Sequence, residues 1–367
     1  MQKKFIYYFI ILTVAESLAL LFLAFTVQLR SPRTLLSKYL VSDNVSETII
    51  NVASSRTEEL QRKSLLIVGQ GRSGTSFVSK MLATGERTLE VYEPLRYHNL
   101  TNDEKLQVLR AFLSCRFTPS TLWEKDYFPP FWNLTEGTYN VEPSKNLACK
   151  KLCKGTTFCF LADELVQRFI DKCRHNFDNT VVKELIDRLP YRSLSSVMPE
   201  ITKHTKNTDI RVLHVVRDPR ASINSRIKLG WMPDYNSSNF EPRIRKYCDE
   251  INENIEFGQQ LNESLRHRYK LILYRDIAAR PVDTAREVFK FAGFDMSENT
   301  LRWIANMTNP KKKDAIKEKP YSLVRDSKAN IDKWRRESPP ERTRIIERVC
   351  KPLLQRIGGF HMMSSKF

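Results

Sequence analysis

The sequence predicts an α/β fold, a P-loop-like parallel sheet flanked by helices and preceded by one N-terminal transmembrane helix. Three strand-turn-helix units carry the prediction. The first is SLLIVGQGRSGTSFVSKML (64–82), where an apolar strand at Leu65 to Val68 enters a glycine-rich turn and then a helix near Thr75 to Ala83. The second is RVLHVV (211–216), nearly all apolar as in a strand covered on both faces, followed by Asp218-Pro219 as helix cap and first helical residue. The third is KLILY (270–274), followed by Pro281 and an amphipathic run that ends at Gly293. Repetition of that order argues for a parallel sheet.

Ahead of the sheet, residues 5–27 form an apolar run long enough to span a bilayer as a helix. A cleaved signal peptide has a shorter apolar stretch of about 7–15 residues, so the run reads as a signal-anchor behind a cytosolic tail of residues 1–4. Lys3 and Lys4 precede it and Arg30, Arg33 and Lys38 follow, so flanking charge gives little direction. No second span appears, and sequons begin at Asn44, Asn99, Asn133, Asn236, Asn262 and Asn306. Their spread places the remainder in the secretory lumen. Residues 28–62, polar and without apolar periodicity, read as a stem, and 63–367 as the folded luminal domain. Within it, 99–159 reads as loop-rich, with Pro129, Pro130 and Pro143 among aromatic clusters, and 161–173 has helical spacing.

The chain has 367 residues, 60 of them Lys or Arg and 42 Asp or Glu, for a net charge of +18. That balance favours anionic partners, whether nucleotide, acidic glycan, nucleic acid or anionic membrane. Seven cysteines in a lumen are expected mostly as disulfides, and the odd number leaves one free or paired with another chain. The cluster Cys149, Cys153 and Cys159 lacks paired CxxC spacing, so it reads as a stapled loop rather than a zinc site.

The glycine turn is a phosphate cradle, since backbone N–H groups at a helix N-terminus hold phosphate oxygens whatever the rest of the ligand is. From Gly69 to Ser76 it has P-loop spacing, but Thr75 stands where a nucleotide P-loop needs lysine, and the cation of the loop is Arg72. Gly69, Gly71 and Gly74 also spell GxGxxG, with Glu90 or Glu93 near the place of a ribose-binding acid. In VYEPL a proline follows that acid directly.

Taken together, GRSGTS (71–76), VYEP (91–94), VVRDPRASINSR (215–226) and the C-terminal LILYRDI, FAGF, NMT and KANIDKWR resemble the membrane-anchored carbohydrate sulfotransferases of the Golgi. The resemblance covers roughly residues 63–360 and is strongest toward enzymes that sulfate the 6-hydroxyl of N-acetylglucosamine, galactose or N-acetylgalactosamine. It implies a sulfotransferase fold, 3'-phosphoadenosine-5'-phosphosulfate (PAPS) as donor, no metal, and a glycan acceptor on a glycoprotein or proteoglycan. It implies a single-pass type II protein of the Golgi membrane that binds no nucleic acid and is free to form a homodimer. Arg72, Ser73, Gly74, Thr75 and Ser76 are then expected at the 5'-phosphosulfate, and Arg217 and Ser225 at the 3'-phosphate. Glu93 is the expected base, with His98 as the alternative, and Arg72 the stabiliser of the bridging oxygen. His214, inside a strand, reads as a core residue. The resemblance also implies a Cys248–Cys350 bridge and a Trp334-Arg335 pair near the donor, while Arg275 in YRD departs from the family's acidic residue there. The run from Lys311 to Lys319 reads as a solvated loop. Three other functions fit parts of the pattern: tyrosylprotein sulfation, a non-catalytic luminal nucleotide- or glycan-binding protein, and an NAD-dependent oxidoreductase.

Overall fold

The computed structural model describes residues 61–96, 100–117, 132–133, 138–139, 170–203, 207–310 and 321–358, all within a compact unit that runs from Glu58 to Phe367. The apolar run 5–27, the stem up to residue 60, His98, the cysteines at 149, 153 and 159 and the lysine run 311–319 lie outside the described residues. Among the described residues no helix is long and apolar enough to cross a membrane.

The sheet has the order β3-β4-β2-β5-β1-β6-β7. Its strands are β1 (Arg62–Gly69), β2 (Thr88–Tyr92), β3 (Trp132–Asn133), β4 (Thr138–Tyr139), β5 (Asn179–Leu185), β6 (Thr208–Val216) and β7 (Tyr269–Leu273). All pairings are parallel except β3 with β4 at one edge. At the centre, Leu65 of β1 lies opposite Val181 on one side and Arg211 on the other.

Period-two alternation along β1 feeds both faces. Leu66 and Val68 pack with Leu109, Phe112 and Leu113 of α2 (Asn102–Ser114) and Ile201 of α3 (Met198–Lys203). Leu65 and Ile67 pack with Val78, Met81 and Leu82 of α1 (Thr75–Leu82), and with Val288 and Phe289 of a later helix, Pro281–Ala292. Each of these β1 side chains is fully buried, and such burial stabilises by roughly 1.5–3 kcal/mol per side chain.

The second unit continues β6 into α4 (Pro219–Lys228), whose cap Asp218 accepts from the Arg220 N–H and whose first residue is Pro219. Then follow α5 (Phe240–Gln259), α6 (Glu263–Arg266), α7 (Tyr274–Ala279), α8 (Pro281–Ala292), α9 (Glu298–Thr308), α10 (Lys333–Glu337), α11 (Pro340–Val349) and α12 (Lys351–Arg356). A third core joins Ile223 of α4, Ile244 and Ile251 of α5, Ile346 of α11 and Leu353 of α12. Cys248 of α5 is bridged to Cys350 between α11 and α12, and a second disulfide joins Cys115 to Cys173.

Two readings of the sequence are corrected, and one strand is added. The segment taken as loop-rich opens with α2, started by a capping box in which Thr101 accepts from the Glu104 N–H and Glu104 from the Thr101 N–H. Tyr274 is the first residue of α7 rather than the last of a strand. Between the first two units lies β5, buried along its whole length although Lys183 and Glu184 interrupt its apolar run. Arg275 donates to the Gly358 carbonyl at 3.1 Å.

Candidate active site

Parallel strands present their carboxyl ends to one rim, the usual place for a ligand in an α/β sheet. Here β1 delivers the glycine loop, β2 Glu93, β5 Lys183, β6 Arg217 and β7 Tyr274, and all five border one cavity of about 870 Å³.

The loop is shaped by two glycines. A Cβ on Gly69 would lie 2.5 Å from the Val215 carbonyl oxygen, so the loop can leave the sheet only without a side chain there. Gly74 has φ 101°, in the left-handed region, and a Cβ on it would meet the Tyr274 ring at 2.7 Å. Gly74 then caps α1, whose first turn carries no acid and no side-chain cap. The positive end of the helix dipole is left for an anion. Arg72, Gly74, Thr75 and Ser76 border the cavity, and the Ser76 hydroxyl is 2.9 Å from that of Tyr92. Ser73 is not among the lining residues. Its N–H donates to the Gln70 carbonyl at 3.0 Å, and its buried hydroxyl, turned toward Gly69, has no partner among the described residues.

Arg72, Ser225 and Arg217 are brought together from two segments, the loop after β1 and the β6–α4 unit. Arg72 Nε donates to Ser225 Oγ at 3.0 Å, and Arg217 Nη1 donates to the Arg72 carbonyl at 3.2 Å. The Arg217 guanidinium lies 4.2 Å from the Tyr274 ring centre. Its other bond is to the Asn330 carbonyl at 3.4 Å, and its buried Nε has no partner. Among the described residues no carboxylate ion-pairs with Arg217. Burial first, and then the charge of Arg325, hold its guanidinium below the ordinary value. Burial and the charges of Arg325 and Arg217 lower Arg72 in the same way. Three arginines crowded in this way at one cavity make a field that favours a bound polyanion. Arg325, from beyond the lysine run, is a member that reading by segments does not reach.

Glu93 follows β2 with φ 52°, in the left-handed region, and borders the cavity. Lys183 Nζ donates to one carboxylate oxygen and Arg188 Nη1 to the other at 2.6 Å, while Arg96 Nε stands 3.8 Å away. Burial pushes the carboxyl upward, but the charges of Lys183 and Arg188 and their hydrogen bonds win and hold it at about 2. Glu184, one residue along β5, shares Arg188 at 3.3 Å and accepts from the Leu95 and Leu185 N–H groups, each at 2.8 Å. There burial dominates and pushes the acid up to about 7. Neither Lys183 nor Arg188 stands out in the sequence except as a charge inside or just after an apolar strand.

The remaining residues sort by position. Glu90, which the dinucleotide reading needs at a ribose, is fully buried in β2 and takes bonds from Ser79 at 2.6 Å and Lys80 at 2.5 Å. His214 sits in the core with Nδ1 3.0 Å from the Tyr269 hydroxyl, and burial lowers its pKa to about 3, so it is neutral. Its Nε2 has no partner among the described residues. Trp334 is buried, borders the cavity, and is covered by Arg220 at 4.4 Å and Arg335 at 4.6 Å. Among the described residues no group of three or more His, Cys, Asp or Glu is placed to hold a metal ion.

Comparison with known proteins identifies the family of the domain that carries this rim. The model of the sulfotransferase domain matches residues 62–358. Carbohydrate sulfotransferase 3 of Rattus norvegicus is 24% identical over 348 residues, covering 85% of this chain and 71% of its own length. Carbohydrate sulfotransferase 1 of Danio rerio is 23% identical over 328 residues, covering 80% and 77%. Among solved structures, the sulfotransferase domain from the curacin biosynthetic pathway is 14% identical with a TM-score of 0.46, covering 81% of this chain and 98% of that one. The chain belongs to the sulfotransferase domain family, is a PAPS-dependent sulfotransferase, and is related to the carbohydrate sulfotransferases.

Proposed function

We propose that the chain transfers the sulfuryl group of PAPS to a hydroxyl, the 6-hydroxyl, of an N-acetylglucosamine, galactose or N-acetylgalactosamine residue in a glycan. The observation that carries the reading is the link from Arg217 to the Arg72 carbonyl and from the Arg72 side chain to Ser225, which joins the glycine loop to the β6–α4 corner at one cavity. PAPS has anionic groups at both ends of one nucleoside, and this rim offers a cradle at each. The α1 N-terminus with Arg72, Gly74, Thr75 and Ser76 takes the 5'-phosphosulfate, with Ser73 shaping the loop, and Arg217 with Ser225 takes the 3'-phosphate. The fit rests on the side-chain-free cradle at Gly69 and Gly74 and on the orphaned Arg217 Nε.

When bound, PAPS supplies the activated sulfuryl group. The acceptor oxygen attacks sulfur in line, the bond from sulfur to the bridging phosphate oxygen breaks, and the acceptor proton passes to Glu93. At neutral pH Glu93 is ionised, as a proton acceptor must be, and its low pKa makes it a weak base. A weak base suffices where the hydroxyl becomes strongly acidic as its bond to sulfur forms. With the donor bound, Arg72, which borders the cavity at the glycine loop, would stabilise the charge that develops on the bridging oxygen. Lys183 and Arg188 hold the Glu93 carboxylate and keep it ionised.

For the whole chain we propose a Golgi membrane protein of type II, anchored through residues 5–27, with 28–62 as stem and 63–367 in the lumen. The curated relatives support the glycan acceptor by their names, and the sequons support the luminal side. The test is transfer of labelled sulfate from PAPS to a panel of acceptors ending in each of the three sugars. Label confined to C6 of one sugar establishes the reading, and label on tyrosine peptides alone rejects it.

A further inference from the structure

Behind the turn that carries Glu93 stands a second carboxylate. Glu184, near the end of β5, is fully buried and is not among the residues that line the cavity, whereas its neighbours Lys183 and Leu185 are. Pro94 has no N–H, so the turn from Glu93 to Arg96 offers the N–H groups of Glu93, Leu95 and Arg96. The Glu93 N–H donates to the Lys183 carbonyl at 2.7 Å and the Arg96 N–H to the Glu93 carbonyl at 3.1 Å. The Leu95 N–H, in the middle of the turn, donates to Glu184 Oε2 at 2.8 Å. Glu184 is therefore the side chain that fastens the turn to the sheet.

Glu93 needs such a hold. Its φ of 52° lies in the left-handed region, which a residue with a side chain keeps only where its surroundings over-determine it, and the proline that follows restricts its backbone further. The other oxygen of Glu184 reaches the cation that Glu93 uses. Glu184 Oε1 accepts from the Leu185 N–H at 2.8 Å and from Arg188 Nη1 at 3.3 Å, the same nitrogen that donates to Glu93 Oε2 at 2.6 Å. One carboxylate thus holds both the backbone beside Glu93 and the guanidinium bound to it. A fully buried acid beside a second carboxylate costs stability where it stands, and that cost is the pattern of a group kept for a site rather than for the core.

We propose that Glu184 is a positioning residue for sulfuryl transfer: by holding the Leu95 N–H and sharing Arg188 it aims the Glu93 carboxylate at the acceptor hydroxyl, without itself touching donor or acceptor. The inference rests on Glu93 as the proton acceptor and adds to that reading the group that sets its aim. Glutamine cannot replace it. Whichever way the amide turns, an NH2 group takes the place of one oxygen and meets a backbone N–H, so either the Leu95 tether or the side facing Leu185 and Arg188 is lost.

The experiment measures sulfate transfer by the full-length chain from PAPS to acceptors ending in each of the three sugars, and PAP binding by calorimetry, for wild type, Glu184→Gln, Glu93→Gln and the double variant. Glu184→Gln is expected to lower kcat by about 10- to 100-fold, with the KM for PAPS and the affinity for PAP kept within about threefold. In the Glu93→Gln background the same substitution should change kcat by less than about threefold, because a residue that acts through Glu93 has nothing left to aim. A merely structural role would carry its loss into both backgrounds. Glu184→Asp, which keeps the charge but falls one methylene short of the turn, should lose turnover as well and serves where the amide variant fails to fold. Unchanged kcat in either folded variant, an equal fall in the two backgrounds, or a fall in PAP affinity on the scale of turnover overturns the proposal. Full turnover in Glu93→Gln overturns it together with the base assignment. A wild type that labels none of the sugars rejects the glycan reading alone, and release of labelled sulfate from PAPS to water, compared across the same proteins, then decides this one.

Discussion

Arg72 Nε donates to Ser225 Oγ at 3.0 Å across 153 positions of the chain, and this contact fastens the glycine loop of β1 to the helix that follows β6. Ser225→Ala removes the contact and a hydroxyl from the proposed 3'-phosphate corner. A single hydrogen bond to a charged group contributes about 1.5–3 kcal/mol, so affinity for PAP should fall by roughly 10- to 150-fold. Calorimetric titration of PAP reads this directly, and unchanged affinity would remove Ser225 from the donor site.

Arg217 presents a fixed fork where Ser225 presents one hydroxyl. Arg217→Lys keeps the charge and loses the fork, so PAP binding should weaken by at least about tenfold even though the cation remains. Arg217→Ala should weaken it further. Equal affinities for wild type and Arg217→Lys would mean that charge alone is used.

Glu93→Gln keeps shape and removes the proton acceptor. Turnover should drop by about 10²- to 10⁴-fold, with PAP affinity kept within a factor of a few. Loss of PAP affinity on the same scale as turnover would make the residue a structural ion-pair partner of Lys183 and Arg188 rather than a base.

Glu93 and Glu184 give opposite pH signatures. Glu93 has a folded pKa of about 2 against an ordinary 4.5, so its stabilisation is full above pH 4.5 and is lost as pH falls toward 2. Glu184 has a folded pKa of about 7 against 4.5, so the native state holds the extra proton between those values. Stability therefore falls as pH rises from about 4.5 to 7, by on the order of 3 kcal/mol if no other group compensates. Glu184→Gln should flatten that slope in thermal unfolding measured across pH. A slope unchanged by the substitution would mean that Glu184 titrates normally.

The Cys248–Cys350 bridge closes a loop of 102 residues and fastens α5 to the α11–α12 corner. Cys350→Ser should lower stability to chemical denaturant by roughly 2–5 kcal/mol.

The two units that announce themselves most clearly in the sequence are those in which an apolar strand is punctuated by glycine or by Asp-Pro, and they carry Arg72, Arg217 and Ser225, which border one cavity. VYEP places Glu93 there too. What escapes is whatever breaks the apolar pattern for the sake of the site. In β5 the charges at Lys183 and Glu184 disguise a central, fully buried strand, and those charges exist because they face Glu93 and Arg188 at the rim. The capping box at Thr101 was a readable helix start within a proline-bearing segment. Arg325 gives no local signal at all, because its meaning comes from like charges that only the fold assembles.

The measurement closest to the central claim is transfer of labelled sulfate from PAPS by the full-length chain to glycan acceptors, run beside Glu93→Gln and Arg217→Ala. The account predicts label in one terminal sugar with the wild type, loss of turnover with PAP still bound for Glu93→Gln, and loss of PAP binding for Arg217→Ala. A wild type that binds no PAP and labels no glycan would contradict it.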